Sequence, residues 1–229
     1  MARVTIIIPV KDEEDGLRLL EREFRQSHLS KSGEVSLIIV VDCRSSDKSR
    51  EVSEQLADFV IDQSESLGKG DAIKAAISKW SKQPTEFLVM MDGDGSYKWS
   101  DVEKVVKELE AGAEAVTGIR LRGIFVKVEG MSLLHHVGNH MLALAASIRN
   151  RNRIHDLCSG LWGFNENAIT RISPTAKGFD LEAELHGRVR YEGINLTQIP
   201  IDWRCRVGGI SKLRSFVDGL RIFVRIIRT

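Results

Sequence analysis

Short apolar runs alternate along the chain with longer stretches whose apolar residues recur every three or four positions. "VTIIIPV" at 4–10 is a β-branched run that predicts a strand, and "EDGLRLLEREFRQ" at 14–26 then sets Leu17, Leu20 and Phe24 at helical spacing. "EVSLIIVVD" (34–42) reads as a second buried strand, "SSDKSREVSEQLA" (45–57) as a helix opened by Ser or Asp caps, and "ADFVID" (57–62) as a third strand. "GKGDAIKAAISKW" (68–80) predicts a helix starting at a glycine turn, and "EFLVMMD" (86–92) a fourth strand. "SDVEKVVKELEAG" (100–112) predicts a helix closed by Gly112, and "EAVTGIR" (114–120) a fifth strand. Continuous apolar strands joined through helices predict a single α/β domain over residues 1–229, its sheet mostly parallel and covered by helices on both faces. Ligands of such sheets bind beyond the carboxyl ends of the strands, and Pro9, Asp42, Asp92 and Arg120 all fall there.

Composition narrows the picture by exclusion. Thirty-three basic residues against thirty-two acidic ones leave a formal charge of +1, so no global field argues for a nucleic-acid partner. Cys43, Cys158 and Cys205 are odd in number, far apart and without C-x-x-C spacing, which argues against a disulfide framework and a structural zinc site and for a reducing, cytoplasmic setting. The first residues enter a strand-like run with no signal-peptide layout, and no apolar stretch reaches the roughly eighteen residues needed to span a bilayer. The expectation is a chain that is soluble or lies on a membrane surface.

Candidate chemistry concentrates in "VMMDGDGSY". Asp92 and Asp94 follow a buried strand with only Gly93 between them, and two carboxylates at a strand tip can hold a hard divalent cation, Mg²⁺ or Mn²⁺, with positions left open for phosphate oxygens. The same triplet also occurs as a solvated Asp-Gly turn. "SLGKGDAIKAAI" sets Gly68, Lys69 and Gly70 at a helix start, where free backbone N–H groups and a lysine can meet an anion; an ordinary glycine-assisted start is the plain alternative. His136 and His140 have the spacing of zinc ligands but lack the glutamate of a metalloprotease helix, which favours packing or solvation. Leu134, Val137, Met141, Leu144 and Ile148 form a helical stripe beside them that either packs on the core or meets lipid.

Taken together, "TIIIPVKDEE", "IIVVDCRSSDKS", "SLGKGDAIKAAI" and "VMMDGDGSY" resemble, in order and spacing, the motifs of family 2 glycosyltransferases of the GT-A fold. "HDLCSGLWGFN" and "IPIDWRCRVGGISKLRSFVDGLRIF" resemble the later motifs of the branch that moves a sugar from a nucleotide onto dolichyl or another polyprenyl phosphate, as dolichyl-phosphate mannose synthases do. The resemblance implies inverting, metal-dependent transfer from GDP-mannose or a UDP-hexose, and the alternative is a family 2 enzyme acting on a soluble sugar or polysaccharide. It implies that Pro9, Glu13 and Asp42 contact the nucleotide, alongside Lys69, Asp92, Gly93 and Asp94. The family commonly has a second aspartate where Cys43 stands; a thiol is a poor acceptor, so Cys43 is expected to pack beneath the turn.

An acceptor phosphate beside an anionic donor needs cations. Arg120, Arg122, Arg206 and Lys212, with Ser211, are the available donors, and Arg120 and Lys212 sit in matched motifs. Asp156 matches an acidic position that the branch places near the acceptor, and Glu182 and Glu184 match family acids that orient a sugar hydroxyl or another side chain. The i, i+2 spacing of those two glutamates lets at most one face the site. A phosphate nucleophile is already ionised, so catalysis by Asp94, Asp156, Arg120 and Lys212 is expected to rest on positioning and charge neutralisation, with no protein general base. The C-terminal stretch predicts a basic amphipathic helix at about 213–228, with Arg214, Arg221, Arg225 and Arg228 on one side and Phe216, Leu220, Phe223, Val224 and Ile227 on the other. Such a helix lies on a membrane's cytoplasmic face, packs on the core, or docks on a small membrane-anchored subunit.

Overall fold

The computed structural model describes residues 2–65, 68–121, 123, 128, 130–208 and 215–229. The predicted strands appear as β1 (Val4–Val10), β2 (Val35–Val41), β3 (Phe59–Asp62), β4 (Phe87–Met90) and β5 (Ala115–Ile119), followed by β6 (Trp162–Asn165) and β7 (Leu196–Pro200). The helices are α1 (Glu14–Phe24), α2 (His28–Ser32), α3 (Ser49–Leu56), α4 (Lys69–Trp80), α5 (Trp99–Glu110), α6 (Leu133–Asn150), α7 (Glu166–Arg171), α8 (Leu181–Tyr191) and α9 (Ser215–Arg228). The strands form one sheet in the order β3-β2-β1-β4-β6-β5-β7. All pairings are parallel except those of β6, which runs antiparallel to both β4 and β5.

The uninterrupted apolar strands have the expected cause. Alternate residues of each strand enter different cores: Ile6, Ile8 and Ile39 pack with Leu17 of α1, Val52 of α3 and Val102 of α5, whereas Ile7, Ile38 and Val40 pack with Ile73 of α4 and Leu185 of α8. With both faces covered, neither side of a strand can be polar. At α3 the helix start differs from the expectation: the cap residue is Lys48, with no side-chain cap bond, and Asp47 accepts the Ser49 N–H at 2.9 Å.

A third, smaller core joins α6, α8 and α9. Ala143 and Ala146 of α6 meet Ile222 and Ile226 of α9, with Ala183 of α8 beside them. The small alanines let the helices approach, and the cost is a narrow buried stripe. The predicted α6 stripe therefore faces outward: Leu134, Met141, Leu144 and Ile148 are all more than 60% exposed. Phe216, Leu220 and Ile227 of α9 are exposed as well. Arg225 departs from the predicted basic stripe, since it is partly buried and its Nε donates to Asp180 Oδ2 at 2.8 Å.

Candidate functional site

The turn at 92–94 follows β4 directly, and α1 starts against it. A Cβ added at Gly16 would stand 2.5 Å from Gly93 O and from Asp94 C, so only glycine lets α1 approach this closely. Gly93 itself is flanked by Ile8 and Val10 of β1. The sequence motif "DGDG" and the distant Gly16 thus make one tight junction.

Each carboxylate of the turn has its own cation. Lys69 Nζ lies 2.5 Å from Asp92 Oδ1 and 2.5 Å from Glu182 Oε1, with the Lys69 and Glu182 side chains largely buried and that of Asp92 partly exposed. Burial alone would lower the Lys69 pKa, but the two flanking carboxylates outweigh it and hold the ammonium protonated. Burial raises Glu182 above its ordinary value against the pull of Lys69. On the other side, Arg206 Nη2 donates to Glu13 Oε1 at 2.7 Å and to Asp94 Oδ2 at 3.3 Å. The segment carrying Arg206 runs along the turn: the Val207 N–H donates to Asp94 O, and the Arg204 N–H to Ser96 O.

These carboxylates suit a divalent cation by the chemistry of their donors. Asp92 uses Oδ1 for Lys69, Asp94 Oδ1 accepts the Ser96 N–H at 3.0 Å, and among the described residues Asp94 Oδ2 has only the long Arg206 contacts. Among the described residues no group of three or more His, Cys, Asp or Glu side chains gathers as a metal nest. A cation here would take its remaining ligands from phosphate oxygens or water, as hard ions in phosphoryl sites do.

A second ion pair forms the adjoining wall. Arg120 donates from Nε to Asp156 Oδ2 at 2.8 Å and from Nη2 to Oδ1 at 2.9 Å, while its backbone N–H also reaches Oδ2 at 2.9 Å. Asn139 of α6 donates to Asp156 Oδ1 at 2.9 Å, and the guanidinium lies 5.9 Å from the centre of the Trp203 ring. Burial would raise Asp156, but the bidentate guanidinium outweighs it and keeps the carboxylate ionised below its usual range.

Several expectations are corrected by this geometry. At the start of α4 the Gly70 and Asp71 N–H groups both point to Lys177 O and so are not free for an anion, and Lys69 engages the site through its side chain. Cys43 is exposed and does not pack beneath the turn, since Asp42 itself turns inward and accepts the Arg44 N–H at 2.8 Å. Lys11 Nζ is 3.5 Å from the other oxygen of Asp42. Of the two glutamates on α8, Glu182 faces the site, whereas Glu184 accepts from Thr175 N and Oγ1, Ala176 N and Arg188 Nε and so fixes the 175–176 turn. Arg206 lies on Asp94 and Glu13, apart from the partners of Arg120. Arg122, Ser211 and Lys212 lie outside the described residues.

Sequence reasoning missed Tyr97, Asn139 and Trp203. Tyr97 stands inside the quoted "DGDGSY", and its fully buried hydroxyl accepts the Gly160 N–H at 2.6 Å. Asn139 was masked by the apolar stripe of its helix, in which a single buried amide leaves no periodic signal.

A family model described as "Glycosyl transferase family 2" matches residues 5–172. The chain belongs to glycosyltransferase family 2. This family 2 glycosyltransferase is 27% identical over 226 residues to glycosyltransferase AglJ of Haloferax volcanii, covering 98% of the chain and 71% of the relative. It is 29% identical over 191 residues to the dolichyl-phosphate hexose transferase of the same organism, covering 83% of the chain and 79% of the relative. It is 25% identical over 226 residues to the polyprenol monophosphomannose synthase of Mycolicibacterium smegmatis, covering 92% and 81% respectively. In fold it matches the glucosyl-3-phosphoglycerate synthase of Mycobacterium tuberculosis in complex with Mn²⁺, UDP and glucosyl-3-phosphoglycerate, with a TM-score of 0.72 at 14% identity over 99% of this chain and 79% of that one. The family 2 transferase thus has the GT-A fold.

Proposed function

We propose that this glycosyltransferase moves a hexose from a nucleotide sugar, GDP-mannose or a UDP-hexose, onto dolichyl or another polyprenyl phosphate with inversion. The observation that carries the reading is the meeting of two ion-paired walls, Lys69–Asp92–Glu182 and Arg120–Asp156, beyond the strand ends, beside helices that turn an apolar surface outward. The names of the relatives support a polyprenyl phosphate as acceptor and a nucleotide sugar as donor.

Pro9, Glu13 and Asp42 form the nucleotide side of the cleft in this reading. Asp92 and Asp94 would hold Mg²⁺ or Mn²⁺, which when bound neutralises the departing diphosphate. Lys69 and Glu182 fix the orientation of Asp92 from behind, and Arg206 supplies positive charge next to Asp94. Arg120 is too fully engaged by Asp156 to grip the acceptor with a free fork, so it adds charge and shape to the wall while Lys212 and Ser211 are the candidates for direct contact with the acceptor phosphate. The acceptor oxygen attacks the anomeric carbon, the bond to the nucleotide diphosphate breaks, and no proton needs to move because the nucleophile is already an anion.

Among the described residues no helix is long and apolar enough to cross a membrane. The outward face of α6 and α9, with exposed Arg149, Arg151, Arg221 and Arg228 around it, supports peripheral attachment at headgroup depth on the cytoplasmic face. The test of the whole reading is incubation with radiolabelled GDP-mannose, UDP-glucose or UDP-N-acetylglucosamine, dolichyl phosphate and Mg²⁺ or Mn²⁺, followed by solvent partition. Label entering the organic phase with one donor is the expected result, and label left in water with all three contradicts it.

A further inference from the structure

We propose that Tyr97 is a positioning residue for the transfer site, its hydroxyl fastening the Ser159–Gly160 backbone against the carboxylate of Asp92. Three contacts carry this. The Tyr97 hydroxyl accepts the Gly160 N–H at 2.6 Å, a bond between groups wholly shut off from water. Gly160 in turn presses on Asp92: a Cβ there would stand 2.8 Å from Asp92 Cγ and collide with the carboxylate oxygens. The same loop begins at Asp156, which Arg120 grips with three hydrogen bonds. The loop 156–160 is therefore held at one end by the Arg120 wall and at the other by Tyr97, and it forms the surface against which Asp92 rests.

A purely packing role would need only the ring. Tyr97 sits in the apolar core with Met91 and Leu161, where phenylalanine would fill the same space. What the hydroxyl adds is an acceptor for a loop amide that is otherwise buried unpaired. Burial pushes the phenol well above its ordinary value, so it stays neutral and accepts the amide while keeping its own proton. The charges of Arg120, Asp92, Lys69 and Asp156 all act on this phenol, and its bonded partner Gly160 lies against Asp92 in the loop that begins at Asp156, so it stands between the two ion-paired walls.

The inference rests on the nucleotide-donor reading for one arm of its test and is independent of it in the other. In the first arm, amide hydrogen exchange is followed in wild type and Tyr97→Phe. Exchange at Gly160 is expected to speed up about tenfold or more, with β4 amides unchanged. In the second, the affinity of the Mn²⁺ complexes of UDP and of GDP is measured by calorimetry, and Tyr97→Phe is expected to lower the affinity of whichever wild type binds by about tenfold, the scale of lost outer-shell support. Gly160→Ala is expected to show a similar loss, and Tyr97→Phe added to it to cost little more, because both act on one contact. Val102→Ala, a core change of comparable stability cost, serves as control and should leave the affinity unchanged. Unaltered Gly160 exchange, nucleotide affinity within twofold of wild type, or an equal loss in Val102→Ala would overturn the proposal. Wild type binding neither nucleotide would contradict the donor reading instead, and the exchange arm would then decide the Tyr97–Gly160 joint alone.

Discussion

Lys69 and Asp92 stand 2.5 Å apart, and the same ammonium is 2.5 Å from Glu182 on its other side. Replacing Lys69 with Met leaves two acids facing each other with no cation, and removal of one partner from a buried ion pair costs roughly 3–5 kcal/mol. Chemical denaturation should show a loss of that size. Adding Glu182→Gln to Lys69→Met should restore part of it, since one of the two stranded charges is then gone. A Lys69→Met protein as stable as wild type would mean that the triad is solvated.

His186 gives the fold a pH dependence. One turn beyond Glu182 on α8, it lies 4.7 Å from the Trp162 ring centre, and burial pushes its pKa down to about 4 against the opposing pull of Asp156. In the unfolded chain the imidazole titrates near its ordinary value of about 6.5. Between those values the unfolded state takes up a proton that the folded state refuses, so stability falls as pH drops from about 6.5 to about 4 and this contribution levels off below. The full effect is about 3 kcal/mol. His186→Leu should flatten that part of the curve measured by urea unfolding at successive pH values; an unchanged slope would assign it to other groups.

The Arg120–Asp156 pair should behave in the opposite half of the acid range. Its carboxylate is held below the ordinary value of about 3.9, so its contribution is complete above that pH and is lost only as pH falls through the lower folded value. Asp156→Ala strands a buried guanidinium and is expected to destabilise by several kcal/mol, with Asn139→Ala, which removes a single hydrogen bond, costing about 1 kcal/mol. Equal losses in the two variants would show that Arg120 finds another anion.

The apolar face of α6 and α9 predicts salt-sensitive association with anionic vesicles. Sedimentation with liposomes should increase with anionic lipid and weaken in high salt. Leu134→Glu with Phe216→Glu, both on exposed positions, should abolish it without changing thermal stability. Absence of binding by wild type under all conditions would contradict direct attachment and leave a membrane-anchored partner subunit or a soluble acceptor.

Much of this was legible in the chain because periodicity and strand ends are local. β1 to β5 and the helices α1, α3, α4 and α5 follow from apolar spacing, and the strand-tip positions of Pro9, Asp42, Asp92 and Arg120 follow from that alternation, whereas the five-residue α2 is too short to leave a periodic signal. β6 and β7 were not foreseen: β6 is four residues long, and its pairing with β4 and β5 is a contact across the sequence that no local pattern announces. The same limit explains the side chains. Glu182 and Glu184 look alike in sequence, and only the position of the 175–176 turn separates the one that meets Lys69 from the one that holds a loop. Arg206 reads in the sequence as a free cation, because its two carboxylate partners come from far away in the chain, Glu13 from near its start and Asp94 from its middle.

The central claim is that the acceptor is a lipid phosphate. The most direct measurement supplies a saturating radiolabelled donor and compares dolichyl phosphate, dolichol without its phosphate, and 3-phosphoglycerate, each with wild type and with Asp94→Asn. The account predicts labelled product from dolichyl phosphate alone, and none from Asp94→Asn, which loses a carboxylate proposed to hold the cation. Product from 3-phosphoglycerate with none from dolichyl phosphate, or near-normal turnover in Asp94→Asn, would contradict it.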